Sequence, residues 1–266
     1  MPGDRQALES ALAAFSLEGK VALVTGAAAG LGLATSRLFL EVGASVVMAD
    51  LDGAAVKASA AELASLGPVL PVEMDVSEEA AVDAGFAAAA DRFGGVDVLV
   101  NNAAYRRKAD TMTMSVDEWD RMLAVTTRGT FLCLRAAVRQ MRGRGGGAIV
   151  NVSSMSAQHP TIFPNMHYDA AKAGVDAVTR LAAVEFAADK IRVNSVLPGG
   201  MDTGISDRIR QANVVVGGPA TLPGRNPTGR IAQPIEMARA ILFLASSAAS
   251  YITGVELLVD GGFTKG

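Results

Sequence analysis

The sequence predicts a single α/β domain, in which a doubly wound parallel sheet of seven strands is covered by helices on both faces. Short runs of β-branched residues alternate with longer Ala-rich stretches, and this alternation is typical of βαβ units. With 266 residues, 50% of them hydrophobic and 19% charged, the chain can bury one large core. No linker, internal repeat or shift in composition divides it into two domains.

Seven short apolar runs are predicted as strands, and six helices are predicted between them. The predicted strands are residues 20–25, 45–49, 69–73, 96–100, 148–152, 191–196 and 256–259. The predicted helices are residues 30–41, 54–66, 78–92, 116–141, 168–187 and 235–245. This order of elements fits one parallel sheet with helices on both faces.

Two segments fall outside the alternating pattern. Residues 1–18 are predicted as an N-terminal extension, and residues 19–266 as the domain itself. Residues 201–230 mix Gly, Pro and Asn with apolar residues and fit neither a strand nor a helix for long. Long irregular segments of compact domains are usually lids, binding loops or disordered stretches, and a substrate lid is the favoured interpretation here.

Charge, hydropathy and metal-binding residue types argue against several functions. The formal net charge is −3, from 24 Lys and Arg against 27 Asp and Glu, so no nucleic-acid partner is expected. No run of about 18 apolar residues occurs, so no membrane span is expected. His159 and His167 lack the spacing of a ligand set, and the single Cys133 leaves no cysteine-based site, so no metal is expected.

Cysteine usage and the N-terminal residues predict the compartment. Cys133 is the only cysteine, which excludes an intramolecular disulfide and points to a reducing environment. The first 20 residues lack the continuous apolar region of a signal peptide. We therefore expect a cytoplasmic protein.

A glycine turn follows the first predicted strand in the run VALVTGAAAGLGLATSRLF. Gly26, Gly30 and Gly32 lie between that strand and the next helix, which is the context of a dinucleotide fingerprint. Glycine lets the backbone turn tightly and approach a pyrophosphate, while the N–H groups and the dipole of the helix attract its charge. The turn therefore predicts a dinucleotide site.

Asp50 is predicted to select the form of the nicotinamide cofactor. It ends the second predicted strand, 18 residues beyond Gly32, where a carboxylate can accept hydrogen bonds from the adenosine ribose. The same carboxylate would repel a 2′-phosphate, and the glycine turn contains no Arg or Lys to neutralise one. NAD is therefore favoured over NADP, with Asp52 as the competing acid.

Tyr168 and Lys172 are spaced as Tyr-xxx-Lys, which puts a phenol and an ammonium one helical turn apart on the same face. A nearby cation favours the phenolate and lowers the pKa of a tyrosine toward the range of a useful base. Ser153 and Ser154 follow the strand before this helix, so a serine hydroxyl at the carboxyl end of that strand could face the phenol. These residues predict acid–base chemistry.

Motifs along nearly the whole chain resemble those of the short-chain dehydrogenase/reductase family. They are TGAAAGLG, Asp50, Asp75-Val76, NNAA, NVSS, YDAAK, VNSVLPGGMDT and the terminal ITGVELLVDGG. The resemblance implies a Rossmann fold and a nicotinamide-dependent oxidoreductase. It also implies that Ser154 hydrogen-bonds the substrate oxygen, that Tyr168 exchanges the proton, and that Lys172 lowers the Tyr168 pKa and holds the nicotinamide ribose.

The same resemblance implies three groups of cofactor contacts: adenosine contacts, a backbone site beside the cofactor, and contacts to its carboxamide or phosphate. In that order they are Asp50, Asp75 and Val76, then Asn102 and Ala103, then Pro198, Gly199 and Thr203. The full predicted set adds Gly26, Gly30, Leu31, Gly32, Leu51, Tyr168 and Lys172.

Thr126 departs from the family pattern, which has an Asn in the stretch that reads LAVTTRGTF here. In the family that Asn stabilises a helix kink, and water at the kink relays protons between the lysine and bulk solvent. The change to threonine could be neutral, could impair catalysis, or could preserve part of the relay. Our hypothesis is that Thr126 preserves the relay, so it is counted with Ser154, Tyr168 and Lys172 as catalytic.

Two smaller departures concern spacing. Ser154 lies 14 positions before Tyr168, one more than the commonest family spacing, and NNAA replaces the usual NNAG. Loop length can absorb one residue, and the NVSS register favours Ser154 over Ser153 and Ser156.

The leading prediction is an NAD-dependent oxidoreductase that transfers a hydride between a secondary alcohol or ketone and nicotinamide, with Tyr168 as acid and base. One alternative is an NADPH-dependent oxoacyl or carbonyl reductase. Another is a nucleotide-sensing protein in which Thr126 has impaired turnover. The substrate site is expected between residues 105–111, 155–167 and 204–228, where the basic run 106–108 suits either an acidic substrate or, as favoured, a solvated loop.

The helix that carries Tyr168 is apolar around more of its circumference than one sheet contact needs. The residues concerned are Val175, Val178, Leu181, Val184 and Phe186. This pattern predicts a homo-oligomer formed through the helix, and the family resemblance implies a homotetramer.

Overall fold

The structure is a computed structural model, and it describes residues 2–107, 109–159, 165–202 and 226–265. Its strands are β1 (Val21–Thr25), β2 (Ser45–Asp50), β3 (Val69–Glu73), β4 (Val98–Asn101), β5 (Gly147–Val152), β6 (Ile191–Pro198) and β7 (Glu256–Val259). They pair in parallel in one sheet of order β3-β2-β1-β4-β5-β6-β7. The chain runs from β1 outward to β3 and then returns to β4 on the other side of β1. The carboxyl ends of β1 and β4 therefore lie side by side, where ligands bind in open α/β sheets.

Helices connect these strands on both sides of the sheet. They are α1 (Pro2–Ala13), α2 (Gly30–Glu41), α3 (Gly53–Leu63), α4 (Glu79–Phe93), α5 (Val116–Leu123), α6 (Gly129–Arg144), α7 (Met166–Glu185) and α8 (Pro234–Ala245). A π-helical turn, Ala124–Arg128, joins α5 to α6. In the described part of the chain, no helix is long and apolar enough to cross a membrane.

Two hydrophobic cores lie on opposite faces of the sheet. One is formed with α2, α3 and α8 and contains Phe39 and Ile241, while the other is formed with α4, α6 and α7 and contains Phe86. Successive strand residues point to opposite faces, so Val24 belongs to the first core and Leu23 to the second. The prediction of a doubly wound parallel sheet in one α/β domain is confirmed.

The predicted helix over residues 116–141 is wrong as a single element, because the π-helical turn divides it into α5 and α6. Gly129 begins α6 against Val76, where an added Cβ would come within 2.8 Å of Val76 Cγ2. Thr127 Oγ1 donates to the carbonyl oxygen of Ala171 at 2.9 Å, which ties the turn to α7. The π-helical turn is thus tied to α7 and followed by a close approach to Val76, and π-helical turns occur frequently at functional sites.

Residues 96 and 97, predicted as the start of a strand, lie before β4. The Asp97 backbone still bonds to Val21 O at 2.8 Å and to Ala148 N at 3.0 Å, and its carboxylate accepts a hydrogen bond from Val21 N at 2.9 Å and pairs with Arg144 at 2.8 Å. Its carboxylate therefore anchors the beginning of β1 and the end of α6. The strand starts one residue later, at Val98.

The first 18 residues contain α1, which the sequence does not predict. The residue after this helix, Ala14, accepts hydrogen bonds through its carbonyl oxygen from Ala248 N and Ser247 Oγ, both at 3.0 Å. The end of the segment is thereby attached to the turn that follows α8.

Candidate active site

The glycine turn lies between β1 and α2 and fits the predicted dinucleotide site. Gly26 and Gly30 have φ angles of +64° and +56°, which favour glycine. A Cβ at Gly32 would lie 2.1 Å from Gly26 O, so this close backbone approach requires glycine as well. Ala29 at the N-cap of α2 supplies no side-chain hydrogen bond to the helix, so its first N–H groups are free of a side-chain cap and suit a pyrophosphate.

Asn102 holds the turn against the end of β4. Its Nδ2 donates to Thr25 O at 2.9 Å and to Gly26 O at 3.1 Å. The backbone N–H groups of Asn102 and Ala103 both donate to Thr25 Oγ1 at 3.0 Å. The polar residues of the NNAA motif thus shape the cofactor site through the backbone of β1.

The structure distinguishes the two candidate acids. Asp52 is the N-cap of α3, because its Oδ1 accepts from Ala55 N at 2.9 Å. Asp50 lies at the end of β2 and accepts from Ala28 N at 3.0 Å, inside the glycine turn. Only Asp50 therefore reaches across from β2 to the turn, whereas Leu51 between the two acids is largely exposed.

Asp75 and Val76 lie beyond β3, beside the cofactor edge of the sheet. The Asp75 carboxylate accepts from Ser77 N at 2.9 Å and from Ser77 Oγ at 2.7 Å, which fixes the loop. Val76 is buried against Gly129 at the start of α6.

Pro198 ends β6, and Gly199 N donates to Val259 O of β7 at 2.9 Å. A Cβ at Gly199 would lie 2.7 Å from Asp260 Cα, so glycine is required by this approach. Met201 forms an isolated parallel bridge with Ala232, which brings the two described ends of the predicted lid together. Thr203, like residues 204–225 of that segment, lies outside the described residues.

Ser154, Tyr168 and Lys172 meet at the carboxyl end of β5. Ser154 Oγ accepts hydrogen bonds from Ser156 N at 3.2 Å and from Ser156 Oγ at 2.9 Å, so its own proton can be donated to the Tyr168 oxygen or to a ligand beside it. Lys172 Nζ donates to Val152 O at 2.6 Å and lies 5.8 Å from the centroid of the Tyr168 ring. Tyr168 and Lys172 are both buried.

The charges around Tyr168 favour its phenolate. Burial raises the pKa of Tyr168, but the positive charges of Arg106 and Lys172 and the hydrogen bond with Ser154 outweigh it, so the pKa falls below the usual value for tyrosine. Burial also lowers the pKa of Lys172, an effect that the neighbouring phenol and Asp176 oppose. The arrangement suits a phenol that gives up its proton more readily than an ordinary tyrosine.

Arg106 lies in the segment 105–111 expected to border the substrate, but the sequence does not predict that it contacts Tyr168. Its guanidinium carbon lies 5.3 Å from the centroid of the Tyr168 ring. The only sequence signal is the basic run 106–108, for which a solvated loop was the favoured interpretation. The solvated-loop interpretation fits Arg107, which is exposed and pairs with Glu118 at 3.3 Å, but it does not account for the position of Arg106 over the Tyr168 ring.

Asp176 is a second residue that sequence reasoning missed, one helical turn beyond Lys172. It is buried, and its Oδ1 accepts from Ser195 Oγ at 3.2 Å. Burial and the charge of Glu256 raise the pKa of Asp176 to about 6, although hydrogen bonds with Ser153 and Ser195 work in the opposite direction. Its position four residues after Lys172 was the available signal.

Thr126 is buried in the π-helical turn. Its Oγ1 donates to Met122 Sδ at 3.7 Å, and its carbonyl oxygen accepts from Thr130 Oγ1 at 2.7 Å. Within the described residues, no hydrogen bond joins Thr126 to Lys172. The relay predicted for Thr126 therefore needs an intermediary.

A buried hydrogen-bond network connects β4, β5 and α7, the elements that carry or flank the site. Asn101 Nδ2 of β4 donates to Asn151 Oδ1 of β5 at 2.9 Å, and Asn151 Nδ2 donates to Thr179 Oγ1 of α7 at 2.8 Å. Since satisfied buried networks specify one arrangement, these bonds fix the two strand ends relative to the helix that carries Tyr168.

Met166 and His167, the two residues before Tyr168, differ in their surroundings: Met166 lines a cavity, and His167 is buried. A shallow cavity of about 200 Å³ is lined by Thr111, Met114, Ser115, Val116, Trp119 and Met166. His167 is buried, and neither ring nitrogen finds a hydrogen-bond partner in the described part of the chain. Among these residues, no group of three or more His, Cys, Asp or Glu side chains could hold a metal ion.

A glycine turn at the switch point of a parallel sheet, with serine, tyrosine and lysine beside it, defines a dinucleotide-dependent oxidoreductase. A family model described as "Enoyl-(Acyl carrier protein) reductase" matches residues 26–264. A crystal structure of a short-chain type dehydrogenase/reductase from Mycobacterium marinum is similar with a TM-score of 0.89 and 34% identity, covering 96% of this chain and 99% of that one.

Curated relatives are similar over almost their whole length. A cis-4-hydroxycyclohexanecarboxylate dehydrogenase of Sinomonas cyclohexanicum is 44% identical over 246 residues, which cover 92% of this chain and 96% of that protein. A 2,5-dichloro-2,5-cyclohexadiene-1,4-diol dehydrogenase of Sphingobium indicum is 39% identical over 251 residues, 94% of this chain and 98% of that protein. The chain belongs to the short-chain dehydrogenase/reductase family, and it is a nicotinamide-dependent oxidoreductase that acts on the CH–OH groups of small molecules.

Proposed function

We propose that this protein is an NAD-dependent dehydrogenase that oxidises a small or cyclic secondary alcohol to a ketone, with Tyr168 as the catalytic acid and base. The observation that carries this proposal is the buried Tyr168 phenol, beside both Lys172 and Ser154. The activities named for the two curated relatives, both on cyclic alcohols, support the choice of substrate class.

Each residue of the trio has a separate task in the proposed mechanism. Tyr168 Oη removes the hydroxyl proton of the alcohol, and Ser154 Oγ donates a hydrogen bond to the same oxygen as it becomes a carbonyl. The nicotinamide, when bound, supplies the acceptor for the hydride that leaves the carbinol carbon. Lys172 keeps a positive charge near the phenol and thereby favours its ionised form.

The preference for NAD is proposed from Asp50. Its carboxylate is held toward the glycine turn by the bond from Ala28 N, at the position where adenosine ribose hydroxyls would approach. A 2′-phosphate at that position would meet a negative charge.

The first experiment follows the absorbance of reduced cofactor while a panel of alcohols is offered with NAD or NADP. The panel contains cyclohexanol, cis-1,2-cyclohexanediol, 4-hydroxycyclohexanecarboxylate and its methyl ester. We expect turnover with NAD, and Tyr168→Phe should lower kcat by about 10²- to 10⁴-fold while NADH binding is retained. Because cations lower the pKa of Tyr168, the rate should rise with pH, and the midpoint of this rise should lie below the ordinary pKa of a tyrosine.

Three outcomes would contradict parts of this proposal. Equal dissociation constants for NADH and NADPH would favour the NADPH-dependent reductase. Binding of NADH without turnover of any alcohol would favour the nucleotide-sensing alternative. Undiminished turnover by Tyr168→Phe would exclude Tyr168 as the acid and base.

A homotetramer in the cytoplasm is also proposed. Leu181 and Val184 on α7 and Phe131 on α6 are exposed apolar side chains, at 71%, 78% and 45%. Such side chains are candidates for burial in a subunit interface. A monomeric mass by light scattering at micromolar concentration would refute the assembly.

The proposed location in the cytoplasm is supported by the single, buried Cys133, because a lone free thiol suits a reducing compartment.

The domain organisation is proposed as predicted, with residues 19–266 as the oxidoreductase domain and residues 201–230 as a substrate lid. The bridge between Met201 and Ala232 supports it, because it closes the base of that segment beside the end of β6. Trypsin cleavage within 201–230 that slows when NADH and an alcohol are added would be the expected result; an unchanged rate would count against a lid.

A further inference from the structure

Arg106 and Lys172 are two cations near one phenol, but their surroundings differ. Lys172 is 3% exposed, donates to the carbonyl oxygen of Val152, and lies 5.8 Å from the centroid of the Tyr168 ring. Arg106 is exposed and belongs to the loop that follows β4. Its guanidinium lies 5.3 Å from the ring centroid. A substrate that enters from solvent therefore meets Arg106 before it reaches Tyr168.

The guanidinium of Arg106 has no counter-charge in the described part of the chain. None of the ion pairs or hydrogen bonds among these residues involves it. By contrast, the adjacent Arg107 pairs with Glu118, and Arg121 lies over the ring of Tyr105 at 4.8 Å, away from the phenol of Tyr168. Among the described residues of the loop, Arg106 is thus the cation that remains unpaired beside the site.

The N–H donors of a guanidinium lie in its own plane, so a guanidinium over an aromatic ring can still donate them to a ligand at its edge. Those donors match the two oxygens of a carboxylate, and such charge-assisted pairs are stronger than neutral hydrogen bonds. Asp169, the carboxylate next to Tyr168, is held elsewhere, by hydrogen bonds with Ser156 and Asn165. The donors of Arg106 are therefore available to a ligand.

We propose that Arg106 binds a carboxylate of the substrate, so that the enzyme prefers secondary alcohols with a negative charge on the part of the molecule that faces solvent. The inference rests on the proposed function, because it assumes that the alcohol reacts at Tyr168. One unpaired guanidinium carries one positive charge, which matches a monocarboxylate. The apolar cavity beside Met166 and Trp119 offers a surface to an uncharged ring.

The test measures binding and turnover separately. Calorimetry on the full chain with NADH present compares cyclohexanecarboxylate, which cannot be oxidised, with the neutral cyclohexanecarboxamide. Arg106→Gln should raise the dissociation constant of the carboxylate about 10- to 100-fold and leave that of the carboxamide unchanged. The matched control is Arg107→Gln, which removes the neighbouring charge from the same loop and should change neither constant more than about twofold.

Turnover completes the test with 4-hydroxycyclohexanecarboxylate and its methyl ester. Arg106→Gln should raise KM for the acid but not for the ester. Equal effects of Arg106→Gln on KM for the acid and for the ester, equal effects of the two arginine variants, or no preference of the parent protein for cyclohexanecarboxylate over the amide would each overturn the inference. A fall in kcat for both substrates is expected, because Arg106 also lowers the pKa of Tyr168.

The two proposals fail in different ways. If the carboxylate binds through Arg106 and nothing is oxidised, the carboxylate site stands, and the proposed function fails together with the substrate preference derived from it. If neutral alcohols are oxidised and the acid is not preferred, the proposed function stands and the inference fails. Melting temperatures of both variants close to that of the parent show that the loop substitutions have not unfolded the chain.

Discussion

The cofactor half and the substrate half of the site are built in different ways. The glycine turn is held by hydrogen bonds that Asn102 Nδ2 donates to Thr25 O and Gly26 O and by one that the Asp50 carboxylate accepts from Ala28 N. Tyr168 instead depends on charges from separate elements, Lys172 on α7 and Arg106 on a loop. The first half consists mainly of backbone groups at strand ends, whereas the second combines the buried side chains of Tyr168 and Lys172 with the exposed Arg106.

This difference predicts that substitutions in the two halves change different quantities. Changes in the cofactor half should alter the dissociation constant of NADH, and those in the substrate half should alter kcat or KM. A variant of either half that changed the NADH dissociation constant and kcat or KM by the same factor would contradict this distinction.

The largest effect on cofactor binding is expected from Gly32→Ala. A Cβ at this position would lie 2.1 Å from Gly26 O, so the backbone of the turn must move. We expect NADH affinity to fall by more than about 100-fold, a cost of over about 2.7 kcal/mol. The matched control is Gly143→Ala in α6, where a Cβ meets nothing within 4 Å and the fluorescence titration of NADH should be unchanged.

A smaller, selective effect is expected from Asp50→Asn. Removing the negative charge should lower the ratio of NADPH to NADH dissociation constants by about tenfold or more, because one like-charge repulsion is lost. Asp52→Asn is the control: it weakens the N-cap of α3 and should leave the ratio unchanged. A ratio that follows Asp52 rather than Asp50 would reverse the assignment of the acid.

Asp176→Asn tests whether a buried carboxylate in the substrate half of the site lowers the stability of the folded protein. The pKa of Asp176 is about 6 in the folded protein and about 3.8 when unfolded, so ionisation costs stability as pH rises through this window, and the full cost applies above pH 6. We expect the variant to be stabilised more at pH 8 than at pH 5, by about 1 kcal/mol in urea unfolding.

The matched control is Asp83→Asn, at an exposed position on α4, which should show no such difference between the two pH values. Equal stabilisation by Asp176→Asn at pH 5 and pH 8 would mean that Asp176 does not titrate in this window.

The smallest effect is expected from Thr126→Asn, which restores the residue of the family pattern. If Thr126 preserves the proton relay, kcat should change by less than about tenfold and the NADH dissociation constant should not change. A rise in kcat of several orders of magnitude would show that threonine impairs the relay.

Most of the fold could be predicted because its signals are local. Alternation of β-branched and Ala-rich runs predicts the strands and helices within a few residues, and the family model and solved relatives agree with the result. The two main errors lie where distant contacts decide. The π-helical turn depends on Gly129 packing against Val76 and on Thr127 bonding to α7, and the start of β4 depends on Asp97 capping β1.

The sequence by itself determined the doubly wound sheet, the glycine turn and the Tyr-xxx-Lys spacing, because periodicity, backbone sterics and helical geometry act over a few residues. Only the tertiary structure decided which acid faces the turn, that Asp176 is buried beside Lys172, and that Arg106 rather than Arg107 lies over the phenol. These features depend on contacts between segments far apart in the chain, and no local pattern encodes which of two adjacent charged side chains points into a site.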